Sequence, residues 1–100
     1  MYGKIENHSK GEAQFAKDLY LELKAGKYEE VKEQIAIPLV VSGKLISTII
    51  VDFFVRHKDG TGELIEYKSK ATKTPVWALK WKLVKALFPF WKYTVIDHAD

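Results

Sequence analysis

Asp52 interrupts the most apolar run of the chain, Ile49-Ile50-Val51-Asp52-Phe53-Phe54-Val55. A carboxylate inside such a strand is costly unless it is paired, hydrogen-bonded or bound to a metal. Further on, Ile65-Glu66-Tyr67-Lys68 also reads as a strand, so Glu66 and Lys68 point to one face and Tyr67 to the other. Whether Asp52 joins them depends on the intervening turn. A three-residue loop Lys58-Asp59-Gly60, with Gly60 in the left-handed bulge position, sets His57 opposite Thr61 and therefore Asp52 opposite Glu66. Directly opposed residues have Cβ atoms roughly 4.5–5.5 Å apart, and like charges there repel unless a cation lies between them. A two-residue Gly60-Thr61 loop would instead put Asp52 on the other face. In the first register Lys68 supplies a positive charge that can hold a water or meet negative charge developing on a phosphate.

Two further residues fit a simple core poorly. Glu12 falls within the helical arc of Phe15, Leu19 and Leu23. It faces inward on that reading, or closes a capping box with Ser9 in Ser9-Lys10-Gly11-Glu12. Lys80 has its stem on the apolar side of a second helix, where it either snorkels to solvent or carries its ammonium to the acids or a bound phosphate. Fifteen of the sixteen basic residues are lysine. From Lys68 to Val95 there are seven lysines (Lys68, Lys70, Lys73, Lys80, Lys82, Lys85, Lys92) and no acid, interleaved with Trp77, Trp81, Phe88, Phe90, Trp91 and Tyr93. Bases among aromatics suit a polyanion with stackable bases, although a solvated helix face over a core produces a similar pattern. His8, His57 and His98 have no metal-triad spacing.

The elements that must position these groups follow from period and punctuation. Residues 9–25 read as a helix with Ser9 as N-cap and Gly26 as its stop. Gln34 to Val41 reads as a strand, with Pro38 marking an edge or a bulge. After the turn Ser42-Gly43-Lys44, a second strand runs from Leu45 to Arg56 and a third from Glu63 to Lys70. Thr74-Pro75 announces a helix, with Thr74 as N-cap and Pro75 in the first turn, and its expected buried stripe is Val76, Leu79, Leu83, Val84 and Leu87. Pro89 lies beyond its end, and Tyr93 to Ile96 is a short fourth strand. The order α-β-β-β-α-β predicts an α+β fold with a mixed four-stranded sheet flanked by two helices.

Length and composition bound the function. One hundred residues suffice for one domain and leave no room for a separate cofactor domain. The net charge is +3, and the absence of cysteine excludes a disulfide framework, a thiolate zinc site and a thiol nucleophile. Met1 to Glu12 has no apolar signal-peptide core, and every apolar run is far shorter than the roughly 18 residues of a membrane span. A soluble, cytoplasmic protein without membrane contact is the expectation.

The acid in the first helix, the Asp in the second strand and Glu-X-Lys in the third resemble the PD-(D/E)XK nuclease superfamily. The ordered set Ser9-x-x-Glu12, Gln34, VDFFV, the Asp-Gly turn, IEYKSK and a Trp/Lys helix ending in Leu-Phe-Pro is similar to a family of small phage-encoded proteins related to Holliday-junction resolvases. The resemblance spans residues 9–96, and Val51 stands where the superfamily often has Pro. It implies a restriction-endonuclease-like core in which Glu12, Asp52, Glu66 and the carbonyl of Tyr67 hold Mg²⁺ or Mn²⁺. Lys68 would then orient or activate the attacking water, with Gln34 and Lys80 assisting. DNA, branched or duplex, is the implied partner, contacted by Lys70, Lys73, Trp77, Lys80, Lys82 and Gln34, with Trp81 beside Trp77. Hard cations on carboxylate oxygens suit phosphodiester hydrolysis. With Arg56 as the single arginine, binding should rest on phosphates rather than bases. Two symmetric cuts would need a homodimer, with Phe88, Phe90 and Trp91 at its interface or packed on the last strand. A non-catalytic DNA-binding module and a small phage structural or adaptor protein are the other classes compatible with these residues.

Overall fold

The computed structural model describes residues 10–98. Ser9 and His8 lie outside them, so the Ser9 cap is outside the described residues. The elements are α1 (Lys10–Lys24), β1 (Tyr28–Val41), β2 (Lys44–His57), β3 (Gly62–Ser69), α2 (Pro75–Leu87) and β4 (Lys92–His98), with a 3₁₀ turn over Lys70–Thr72. One sheet runs β1-β2-β3-β4, antiparallel except for the parallel pair β3/β4. This is the α+β, αβββαβ arrangement expected from the sequence. The first strand starts at Tyr28 rather than Gln34, because Tyr28 to Glu33, polar as they are, pair with β2 along its proximal half. Among the described residues no helix is long and apolar enough to cross a membrane.

Local chemistry sets the turns. Gly26 adopts φ +89° and ends α1, whose last carbonyls are met by Gly26 N–H to Leu23 O at 3.0 Å and Lys27 N–H to Glu22 O at 2.9 Å. Ser42 and Gly43, at φ +50° and +78°, form the two-residue loop of the β1/β2 hairpin, whose positive φ values match the strand twist. Thr74 caps α2 by accepting from Trp77 N–H at 3.1 Å.

Two cores lie on opposite faces of the sheet. Ala16 and Leu19 of α1 pack with Val31, Phe53, Val55 and Ile65. On the other face Trp81 and Val84 of α2 pack with Ile37, Leu39, Ile49, Val51, Phe54 and Leu64. The buried stripe of α2 matches the expected one at Leu83, Val84 and Leu87 and departs from it at Val76 and Leu79. Trp81 and Val84 are buried and Trp77, Leu83 and Leu87 pack beside them, whereas Val76 and Leu79 are exposed. Trp77, Trp81 and Val84 also recur at helical spacing, and an indole removes more apolar area from water than a valine or leucine, so the aromatic stripe takes the sheet. Trp81, expected beside Trp77 as a DNA contact, is thus a core residue. Phe88 and Trp91, considered for an interface, pack on the α2-side core, and Phe90 is exposed.

Both long strands change faces partway along. On β1, Val31 packs on the α1 side, and Ile35, Ile37 and Leu39 pack on the α2 side. On β2, Ile49 and Val51 face α2, and Phe53 and Val55 face α1. In a regular strand these odd-numbered residues would all share one face. The switch falls at Gln34, which has φ +51°, and at Asp52, which stands opposite it in the pairing between Glu33↔Phe53 and Ile35↔Val51. A left-handed residue in one strand rotates the pleat at that level, so the switch has a backbone cause.

Candidate functional site

The β2/β3 turn decides the register. Gly60, at φ +91°, donates to His57 O at 2.9 Å, and His57 N–H donates to Thr61 O at 2.8 Å. The loop is Lys58-Asp59-Gly60, braced by Thr61 N–H to Asp59 Oδ1 at 2.9 Å. Pairing follows as Arg56↔Gly62, Val55↔Glu63, Phe54↔Leu64 and Phe53↔Ile65. The next step of that register sets Asp52 opposite Glu66. There the ladder stops: Asp52 Oδ2 accepts the backbone N–H of Tyr67 at 2.8 Å, so a side chain takes the place of a strand-to-strand bond. The face switch at Asp52 turns this carboxylate toward β3, and β2 and β3 fork beyond it.

Glu66 sits at the fork, fully buried. Neither of its carboxylate oxygens makes a hydrogen bond, and Lys68 Nζ is 3.5 Å from Oε2. Burial, and then the negative charge of Asp52, push the Glu66 carboxyl up to about 8, against the opposing pull of Lys68. A buried carboxylate with two idle oxygens facing a second carboxylate is short of positive charge. Lys68 is itself mostly covered, its ammonium 5.3 Å from the centroid of the Trp77 ring. Trp77 stacks on Trp81 at 5.7 Å, and its buried indole N–H has no acceptor.

Beside the fork, β2 has no β3 neighbour, and a cleft of about 290 Å³ opens between it and the start of α2. Its walls include Thr48, Ile50, Thr74, Trp77 and Lys80. Lys80 Nζ donates to Thr48 O at 3.0 Å, so its ammonium reaches the β2 backbone rather than the acids. Lys73 is ion-paired with Asp97, just beyond the acid-free stretch. Lys70 and Lys82 are exposed, and Gln34 is exposed on the strand edge at the level of Asp52.

The structure therefore brings together Asp52, Glu66, the Tyr67 backbone, Lys68 and Trp77. Glu12 is half-buried in the first turn of α1. Among the described residues no three His, Cys, Asp or Glu side chains converge as a metal-holding group. The donor set that is gathered fits a hard divalent cation: two opposed carboxylates, one with neither oxygen hydrogen-bonded inside the fold. Sequence reasoning missed the Tyr67 N–H on Asp52 and the unsatisfied Trp77 indole. The first depends on where the ladder breaks and the second on which face of α2 is buried. Comparisons with protein-family models, curated proteins and solved structures returned no match.

Proposed function

We propose that this chain is a metal-dependent endodeoxyribonuclease of the PD-(D/E)XK type, hydrolysing phosphodiester bonds in branched or recombining DNA. The observation that carries the reading is Glu66: fully buried, hydrogen-bonded at neither oxygen, opposite Asp52 and ion-paired with Lys68 at 3.5 Å. Asp52 and Glu66 would hold Mg²⁺ or Mn²⁺, with Glu12 and the Tyr67 carbonyl as the further ligands the resemblance implies. The bound ion would supply Lewis-acid stabilisation of phosphoryl oxygens and a more acidic water. Asp52, fixed by the Tyr67 N–H, keeps its second oxygen for that task. Lys68, held over Trp77 beside the acids, orients the attacking water and opposes charge on the scissile phosphate.

The exposed Lys70 and Lys82, with Lys73, Gln34 and the cleft residues Trp77 and Lys80, form the DNA-facing surface in this reading. Phosphate contacts of this kind position DNA without reading its sequence, which suits selection by DNA structure. Two symmetric incisions call for a pair of chains, working in the cytoplasm, or in a host's cytoplasm if the gene is a phage's. A second reading, a DNA-binding module without catalysis, is favoured by the acid-free, lysine-rich stretch from Lys68 to Val95, whose Lys70 and Lys82 are exposed.

One assay separates them. The chain is incubated with a four-way junction, a linear duplex and single strands, in Mg²⁺, Mn²⁺ or EDTA, beside Asp52→Asn and Lys68→Ala. Metal-dependent cutting lost in both variants is the expected result. Binding without cutting in any metal favours the module, and no DNA affinity at low salt refutes both.

A further inference from the structure

A second cleft, of about 410 Å³, opens at the other end of β3 from Glu66. Gly62 and Glu66 are four residues apart, roughly 13 Å along the strand. The cleft lies between the β2/β3 loop and the turn into β4, and its walls include Arg56, Asp59, Gly60, Thr61, Phe90 and Trp91. Its volume falls within the ~300–1,000 Å³ of small-ligand sites.

The aromatic wall is braced from behind. A Cβ on Gly62 would lie 3.0 Å from Trp91 Cδ1, so the indole lies against the backbone of β3, with Phe88 stacked on it at 4.8 Å and Phe54 edge-on at 6.3 Å. Phe90 meets Trp91 and Phe88 edge to face, at 5.4 Å and 6.1 Å, yet is 69% exposed. These contacts fix a ring and leave most of it open, the arrangement of a stacking platform for a planar ligand.

The rim carries both signs of charge. Arg56 lies 5.1 Å from the centroid of the Phe54 ring, and its Nη1 donates to Gly60 O at 3.2 Å. Its ion pair with Glu30 runs through Nε at 3.6 Å, so further Nη hydrogens remain for a ligand. Asp59 is exposed, and hydrogen bonding from Thr61, with a weaker pull from Lys92, holds its carboxyl below the usual carboxylate range.

We propose that this cleft binds an unpaired guanine in a single-stranded segment of nucleic acid, stacked on Phe90 and read at its edges by Arg56 and Asp59. The rim disfavours simpler occupants. Free phosphate meets Arg56 but is opposed by Asp59 and Glu30. An apolar side chain uses the ring and strips water from both charges without pairing them. A planar ligand with acceptors on one edge and donors on another satisfies all three. Guanine offers O6 and N7 to a guanidinium, N1–H and the N2 amine to a carboxylate, and a π-face to Phe90. As the single arginine, Arg56 is the one side chain of the chain that presents a planar fork of donors. Lys92, exposed and near Asp59, meets the attached phosphate. Pairing in a duplex hides the N1–H edge, so the site selects bases that are unpaired. The proposal draws on the preceding reading only for nucleic acid as the partner: cutting without base binding overturns it alone, and base binding by a chain that cuts nothing leaves it standing.

The test is an NMR titration of the full chain in EDTA with dGMP, dAMP, dCMP, TMP and inorganic phosphate. The expected result is saturable shifts of the Trp91 indole N–H and the Gly60 and Thr61 amides, with a dissociation constant for dGMP at least tenfold below those of the other three nucleotides. Phe90→Ala should weaken dGMP at least tenfold. Arg56→Lys keeps the charge and Asp59→Asn keeps an acceptor for Thr61, and each should abolish the preference for guanine. All three side chains are exposed, so folding should survive, and the dispersion of the amide shifts checks that it has. No saturable shift at these residues with any nucleotide overturns the proposal. So do equal affinities for the four bases, shifts reproduced by phosphate alone, or dGMP shifts confined to the cleft of Thr48, Trp77 and Lys80.

Discussion

Replacing Glu66 by Gln should change how stability depends on pH, with a sign and size set by the site. The Glu66 carboxyl is raised from 4.5 to about 8, first by burial and then by Asp52. A carboxyl raised on folding binds its proton more tightly in the folded state. Its favourable contribution is fully present below pH 4.5 and is lost as pH rises toward 8. Each pH unit of that window is worth about 1.4 kcal/mol, so on the order of 5 kcal/mol separates the two ends. That is a large share of the roughly 5–15 kcal/mol that holds a domain together. The assay is urea unfolding in EDTA, followed by tryptophan fluorescence, for wild type and Glu66→Gln between about pH 5 and pH 9. A buried glutamine adds an offset of its own, but one independent of pH. The difference between the curves should therefore shift by several kcal/mol in favour of Gln as pH rises. Added Mg²⁺ should restore wild type at high pH, by about 2.7 kcal/mol at a hundredfold excess over its dissociation constant, and leave the variant unchanged. Parallel pH curves for the two proteins would refute the reasoning, because Glu66 would then be ionised and compensated within the fold.

Other perturbations test the frame around the site. A Cβ on Gly62 would lie 2.8 Å from Phe54 Cε1 and 3.0 Å from Trp91 Cδ1. Gly62→Ala should cost about 1–3 kcal/mol, seen as a lowered Tm by calorimetry. Tyr93 Oη donates to Val84 O at 3.0 Å and Phe88 O at 2.6 Å, closing the end of α2. Tyr93→Phe should cost about 1 kcal/mol and speed amide exchange in that last turn, leaving β2 unaffected. DNA binding should weaken steeply with salt, and Lys82→Ala should reduce the slope of log affinity against log salt by roughly 0.9 if that lysine neutralises one phosphate. An unchanged slope would remove Lys82 from the interface.

Much of the site was legible because it rests on local chemistry. Gly60, three residues after His57, fits the bulged loop that the structure selects over the two-residue Gly60-Thr61 alternative, and that loop sets Asp52 opposite Glu66 by counting. Thr74-Pro75 likewise declares the start of α2. The face that α2 buries was only partly legible: Leu83, Val84 and Leu87 lie on it as expected, while Trp77 and Trp81 take the sheet in place of Val76 and Leu79. The early start of β1 was hidden because Tyr28 to Glu33 are mostly polar, and their pairing depends on the strand beside them.

The sequence by itself determined the order of elements and most of the turns, and narrowed the meeting of Asp52 and Glu66 to one of two registers, because capping, glycine conformation and strand period act within a few residues. Tertiary structure decided the rest. The switch of faces at Gln34 and Asp52 directs the carboxylate into the gap between strands. The fork leaves Glu66 without a hydrogen bond. These outcomes depend on how strands distant in the chain divide space, and nothing in a residue's immediate neighbours encodes that.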